Sequence, residues 1–310
     1  MSTDFQPNSH EIYLPIKGDR PIVFPLTAQA LPLLVFPSTY AETTVGKSPT
    51  LEFAKDRKGL EILSVSGLTL CMGTLDAYPI TFQASVLDFP LKRYENIGYI
   101  NPKMRGELET MSDYNPLDTH IVVMDTEGEI LYNINFVHSD QTSFFAARVP
   151  FRKRFPTEQL FDFPIPKQFA NVKRNMVQEP SRLTVANPQE YIRKFGASGS
   201  RRLQIAKFLL AIGLSEHTIR SGMTCWLLNY VPEMAGGFVK GISGGDLSFP
   251  PIEGATPLSA VYEGPFGPYF KKHFVNGKNE VLVTLVDAQM FASRIKAFSM
   301  MKLTELLNQQ

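Results

Sequence analysis

The segment THIVVMDTEGEILYNINFV, residues 119–137, constrains the fold more than any other stretch. Ile130, Tyr132, Ile134 and Phe136 alternate with Leu131, Asn133, Asn135 and Val137. That is the period of a strand, whose successive side chains point to opposite faces. Asp125-Thr126-Glu127-Gly128 supplies a turn, with Gly128 suited to a positive φ. A β-hairpin is expected here. The runs around it read the same way: HEIYLPI, RPIVFPL, PLLVFPS, PTLEFAK, EILSVSGLTLCMG, YPITFQASVLDFPL and TSFFAARVPF are short, apolar and bounded by Pro, Gly, Ser or Asp. Residues 94–118 are polar and are expected as a surface loop with one short helix near 103–111.

From about residue 156 the pattern changes. TEQLFDF and IPKQFANVKRNMVQE read as helical. Asn187-Pro188 puts a cap and a first-turn proline in the favoured order ahead of QEYIRKF. SGSRRLQIAKFLLAIG reads as a helix ended by Gly213, and SEHTIRSGMTCWLLNYV as another capped by Ser215. Residues 232–280 are rich in Gly and Pro and read as irregular, EVLVTLV as a strand, and 287–307 as a closing helix. The expected class is α+β: a β-rich N-terminal half, residues 1–155, antiparallel and sandwich- or barrel-like, followed by a mainly helical half, residues 156–310.

Composition narrows the setting. With 44% hydrophobic and 20% charged residues the chain can bury a sizeable core. The opening MSTDFQPNSHEIY lacks the apolar centre of a secretion signal, and no apolar run approaches the roughly 18 residues of a membrane span. Cys71 and Cys225 read as buried thiols in a reducing compartment, cytoplasmic or nucleoplasmic.

The stretch AIGLSEHTIRSG, residues 211–222, resembles the turn and early recognition helix of a helix-turn-helix. Around it the pattern fails. Leu209 stands where a small residue is needed, and Met223-Thr224-Cys225-Trp226-Leu227-Leu228 is too apolar to face a major groove. Sequence-specific DNA reading through His217 and Arg220 is therefore not expected.

Signs of catalysis or metal binding are sparse. His10, His120, His138, His217 and His273 show no H-x-x-x-H spacing, and neither cysteine lies in a C-x-x-C, so no metal and no cofactor are expected. The glycines of 236–245 lack the Gly-Lys-Ser/Thr ending of a phosphate loop and read as a surface loop. Cys225 near His217 or His273 sits in an apolar setting that keeps a thiol protonated. No carboxylate pair stands out, and the sequence leans away from an enzyme.

Charge placement is the one pronounced signal. Residues 152–207 carry twelve basic and four acidic side chains, net +8, whereas the remainder has nineteen and twenty-six, net −7. Phe151, Phe155, Phe161, Phe163, Phe169, Tyr191, Phe195 and Phe208 are interleaved with the charges. A basic groove with aromatic faces suits single-stranded nucleic acid. The expectation is a non-enzymatic nucleic-acid-binding assembly protein of nucleoprotein or coat type, with RNA or single-stranded DNA as partner. Its phosphate contacts would be Arg152, Lys153, Arg154, Lys173, Arg174, Arg193, Lys194, Arg201 and Arg202. Alternatives are a capsid or other structural subunit, an enzyme with a site assembled between lobes, and a helix-turn-helix protein. In the closing helix Phe291, Ile295 and Phe298 form one apolar row and Met300, Leu303 and Leu307 a second; one row is expected to mediate self-association.

Overall fold

The computed structural model describes residues 51–104, 116–245, 247–273 and 281–309, the side chains of 232–236 excepted, together with the backbone of a two-stranded antiparallel hairpin, β1 (Glu11–Leu14) and β2 (Ile22–Pro25). The expected strand PLLVFPS and most of the expected helix at 103–111 lie outside the described residues. Ahead of the central hairpin come β3 (Ala54–Lys55), β4 (Glu61–Val65), β5 (Leu68–Thr74) and helix α1 (Ile80–Asn96). The hairpin is β6 (Thr119–Asp125) and β7 (Ile130–Val137). Gly128 has φ 80, and the Asp125 carboxylate accepts the amides of Glu127 and Glu129 across the turn.

Next come α2 (Pro156–Leu160), β8 (Phe161–Asp162), β9 (Val177–Val185), α3 (Pro188–Ser221), β10 (Cys225–Tyr230) and α4 (Pro232–Ser243). β11 (Thr256–Pro257), α5 (Gly267–His273), β12 (Leu282–Asp287) and α6 (Ala288–Asn308) complete the chain. Eight strands form one sheet in the order β12-β10-β9-β7-β6-β5-β4-β3; β8 and β11 form a separate small ribbon. Neighbours in the large sheet are antiparallel except β9 and β10, which are parallel and joined through α3.

This corrects the expected architecture. The class is α+β and helices dominate the second half, but among the described residues the strands of the first half form no sandwich or barrel. One open sheet runs through both halves, and β9, β10 and β12 of the second half extend the strands of the first. Helices cover both its faces. α1 packs on the side of Val122, Met124 and Ile130, whereas α3 and α6 pack on the side of Ile121, Val123 and Ile134. The polar half of the hairpin's alternation therefore never meets solvent: Asn133 is buried and its Nδ2 donates to the Val86 carbonyl of α1.

YPITFQASVLDFPL is helix α1, not a strand. Its buried residues Phe82, Ala84, Val86, Asp88 and Pro90 do alternate. On a helix, however, Phe82 with Val86 and Ala84 with Asp88 form two adjacent i, i+4 rows, so a helix buried on both flanks mimics the period of two. TSFFAARVPF is also not a strand; it is a turn region with an isolated bridge at Phe144 and a short 3₁₀ turn at Phe151–Lys153. The glycine-rich stretch 236–245 closes α4, which ends on Gly244 at φ 72.

The helix expected to stop at Gly213 runs on to Ser221 and ends on Gly222 in the left-handed region. Gly213 is a packing residue. A Cβ there would lie 3.0 Å from both Leu70 methyls and 3.1 Å from the Ile121 Cγ2, so the helix backbone rests directly on β5 and β6. Ser215 is not a cap; its hydroxyl donates to the Ala211 carbonyl at 2.8 Å inside the helix. With no turn, the helix-turn-helix alternative is excluded. Among the described residues no helix is long and apolar enough to cross a membrane.

The close seat of α3 gives a direct test. Gly213→Val should destabilise the protein by about 1–3 kcal/mol through overpacking, despite the better helix propensity of valine. Urea unfolding measures it. A variant as stable as wild type would mean that α3 does not rest on Leu70 and Ile121.

Candidate functional site

β9 and β10 pair at only two positions, Val177 with Cys225 and Gln178 with Trp226. Gln178 pins that junction: its Oε1 accepts the Trp226 indole N–H at 3.0 Å and the Thr218 hydroxyl at 3.0 Å. Beyond it the strands part. β10 follows β12 as far as Tyr230, and β9 follows β7 as far as Val185. The sequence of β9 explains its departure. Pro180 has no N–H to give a ladder, and Arg182 sits at φ 55, a strained value for a side-chain-bearing residue. The register also shifts opposite Asn133 and Asn135. Bulges of this kind bend a strand and re-aim its side chains.

The wedge between the strands holds a cavity of about 870 Å³. Ser181, Arg182 and Leu183 of β9 form one wall and Leu228, Asn229 and Tyr230 of β10 the other. Phe238 and Ile242 of α4 and Ile295 of α6 close one side; Tyr94 and Tyr99, at the end of α1, lie on the opposite side with Tyr269 of α5. Ligands of α/β sheets bind in such a place, outside the carboxyl ends of parallel strands.

Polar groups gather where β6, β7 and β9 line the cavity. Asn135 Nδ2 donates to Asp118 Oδ2 at 3.4 Å, and Asp118 Oδ1 accepts the His138 amide at 3.2 Å. The Asn135 Oδ1 is buried and has no partner among the described residues. Burial pulls the Arg182 guanidinium below its ordinary range, against the charges of Tyr94, Asp118 and Glu179. Next to the junction, Glu179 is buried. Its carboxylate accepts the Thr157 amide at 3.1 Å and the Thr157 hydroxyl at 2.8 Å, and Asn229 Nδ2 donates to that hydroxyl at 2.7 Å. Burial outweighs these bonds and pushes Glu179 up to about 8. Glu179 is thus a carboxyl that exchanges a proton near neutral pH, linked through Thr157 to the cavity wall.

A second buried cluster lies behind Gln178. His138 Nε2 and His217 Nε2 stand 3.1 Å apart, and Gln178 Nε2 is 3.4 Å from His138. Burial lowers His138 to about 4 and His217 to about 3, and lowers His120 to about 3. Cys71 is pushed by burial up to about 12 and Cys225 is raised as well; both are buried free thiols. No group of three or more metal-binding side chains occurs among the described residues.

The basic middle is dispersed. Arg152 and Arg154 line the cavity, with Lys153 exposed between them. Arg174 is fully buried between the rings of Phe145 and Phe155, at 5.2 and 5.3 Å, and paired with Glu158. Lys173 and Arg193 are exposed, and Lys194 pairs with Glu127 and Glu129. Arg201 donates to the Leu306 carbonyl, and Arg202 lies over Phe195. Of the rings, Phe155, Phe161, Tyr191 and Phe208 are core, and Tyr191 donates to Asp125. Phe291, Ile295 and Leu303 are buried in the chain's own core, with Phe298, Met300 and Leu307 packed half-buried against it.

The nucleoprotein or coat reading is corrected by this arrangement. It required a basic groove between two lobes, but a single sheet joins the halves and the cations turn to different parts of it. Sequence reasoning missed Asp118, Asn135, Thr157, Glu179, Arg182 and Asn229. The visible signal was the polar interruption Glu179-Pro180-Ser181-Arg182 within Val177–Val185, together with two asparagines in step on β7.

No family model and no curated protein matches the chain. Among solved structures it is similar to the crystal structure of an acetyltransferase of the GNAT family from Staphylococcus aureus Mu50, at 12% identity and a TM-score of 0.28, over 61% of this chain and 95% of that one. A likeness so slight defines neither the fold nor the function.

The buried titratable groups set a pH profile. The three histidines titrate lower in the folded chain than their ordinary 6.5, so their contribution is present above pH 6.5 and is lost as pH falls toward 3–4. Glu179 has the opposite sign: raised from 4.5 to about 8, it favours folding below 4.5 and costs stability as pH rises through 8. Each group contributes a slope of up to about 1.4 kcal/mol per pH unit within its window. Urea midpoints should therefore peak near pH 6.5, and Glu179→Gln should flatten the alkaline limb while leaving the acid limb intact. An unchanged alkaline limb in that variant would place the titration elsewhere.

Proposed function

We propose that the chain is a group-transfer enzyme that binds an acyl thioester on a pantetheine-type arm within the wedge and passes the acyl group to a nucleophile. The observation that carries this reading is the parting of two parallel strands over a large cavity. Past the junction the facing backbone edges of β9 and β10 no longer pair with each other. An extended ligand with amides at peptide-like spacing can use them as an added strand would. Pantetheine, the arm of a common group carrier, has that form: two amides in a thin chain ending in sulfur. α3 starts at Pro188, three residues past the cavity-lining Val185, and the positive end of a helix favours the phosphate of such a carrier.

In the reaction the nucleophile attacks the thioester carbonyl, its bond to carbon forms and the C–S bond breaks. Sulfur leaves as thiolate and takes up the proton that the nucleophile gives up. Two buried free thiols fit a reducing, intracellular setting.

Calorimetric titration with coenzyme A and with acetyl-coenzyme A tests the reading. Both should bind saturably, and Leu228→Trp, which fills the wedge from β10, should abolish binding while the urea transition stays cooperative. Absence of binding to either compound, or undiminished binding in the folded variant, would remove the pantetheine arm from the wedge.

A further inference from the structure

We infer that residues 144–154, together with Lys173, form a docking surface for an anionic lipid bilayer at the rim of the wedge. Phe144 and Phe151 are each 54% exposed, and they are the only exposed phenylalanines among the described residues. Arg148, Arg152 and Lys153 are exposed with them, Arg154 is half-buried, and no acidic residue occurs between 141 and 154. Arg148, Arg152, Lys153, Arg154 and Lys173 have no carboxylate partner among the described residues.

Both ends of this segment are held at one place. Phe145 and Phe155 bury their rings edge to face, 6.0 Å between centroids, and the Arg174 guanidinium lies over both. Arg174 also donates to the Phe145 carbonyl at 3.3 Å, and it takes up Glu158, the next carboxylate along the chain. The nine residues 146–154 must therefore leave and return to the same spot, as a compact Ω-loop does. Inside the loop the Lys153 amide donates to the Pro150 carbonyl at 2.9 Å and the Arg154 amide to the Phe151 carbonyl at 3.1 Å. Arg154 Nε donates to the Val149 carbonyl at 3.4 Å. Phe144 sits just outside the anchor, bridged to Lys173. Rings and cations are thus gathered around one loop.

The chemistry favours a bilayer over a soluble polyanion. Unpaired cations attract any negative surface. Exposed rings among them are costly in water and gain where an apolar phase lies just beneath the charges, which is the build of a lipid headgroup region. The patch is one loop wide, too short to follow a polymer but suited to a plane of separate headgroups. Phe151, Arg152 and Arg154 also line the cavity, so docking sets the opening of the wedge against the lipid surface.

Cosedimentation with extruded vesicles tests this. The chain should pellet with vesicles of phosphatidylcholine and phosphatidylglycerol in equal parts and not with phosphatidylcholine alone, and the bound fraction should fall as salt is raised. Arg152→Glu with Lys153→Glu should weaken binding at least about tenfold, since each cation at an anionic surface is worth about fivefold. Phe144→Ser with Phe151→Ser should weaken it by about tenfold as well. Both double variants alter exposed side chains and should keep the wild-type urea transition. Equal pelleting with neutral and anionic vesicles, no pelleting with either, or full binding by the serine variant would overturn the proposal. Binding that needs the cations but not the rings is the mark of a surface for a soluble polyanion or an acidic protein.

Discussion

Everything distinctive in this molecule depends on one buried side chain, Gln178. The sheet is continuous only because two parallel residue pairs join β9 to β10, and Gln178 belongs to one of them. Its carbonyl oxygen accepts from the indole of Trp226 on β10 and from Thr218 near the end of α3. The junction is thus tied to both the strand that follows the crossover and the helix that makes it. Trp226 in turn packs its ring at an angle against Phe136 and edge-on against Phe291, which connects the pin to β7 and α6. Two half-sheets hinged at one point would leave an undefined gap. Two half-sheets fastened at one point and wedged apart by packed helices leave a gap of fixed shape, as a preorganised site requires.

The strand that opens the gap does so against its own interests. A proline, a serine and a left-handed arginine in mid-strand forfeit ladder bonds and add backbone strain, of order 1–3 kcal/mol for such a residue. Glu179 and the unpartnered Asn135 oxygen are further costs. They are offset by the apolar contacts of α3 and α6 with each other and with the sheet, where Ala206, Leu209, Leu210, Ala211 and Leu303 are wholly buried. Stability and chemistry are thereby segregated. The close-packed seat of α3 lies on β5, β6 and β7, and the strained and polar groups gather around β9.

This segregation explains which features were legible in the sequence. The β6–β7 hairpin and α6 were plain because local signals there agree with tertiary structure: Asp125 and Gly128 turn the chain, and Asp287 caps α6 by accepting the Met290 amide at 2.8 Å. β9 was not legible, because Pro180, Ser181 and Arg182, which line the cavity, are residues that argue against a strand. α1 was misread because burial on two flanks produces a false alternation. Gly213 looked like a stop signal and is instead a point of close approach. A glycine has the same letter whether it serves a positive φ or a missing Cβ, and only the neighbours Leu70 and Ile121 decide which.

The misleading charge count has a related cause. A net charge summed over 152–207 treats covalent neighbours as spatial neighbours, but this segment runs through a 3₁₀ turn, the strand β9 and the first part of α3. Arg174 is drawn inside by two aromatic rings and Glu158, while Lys194 is occupied by the two glutamates of the β6–β7 turn. Of the block Arg152-Lys153-Arg154, two guanidiniums remain at the cavity. What reads along the chain as a polyanion-binding stripe is, in three dimensions, a set of separate tasks: a buried clamp, a tether for a turn, and a positive rim at the cavity. A cleft with two guanidiniums among its lining residues meets a charge singly and at a defined place. A polymer needs cations repeated along one surface, and that repetition is lost when the segment folds.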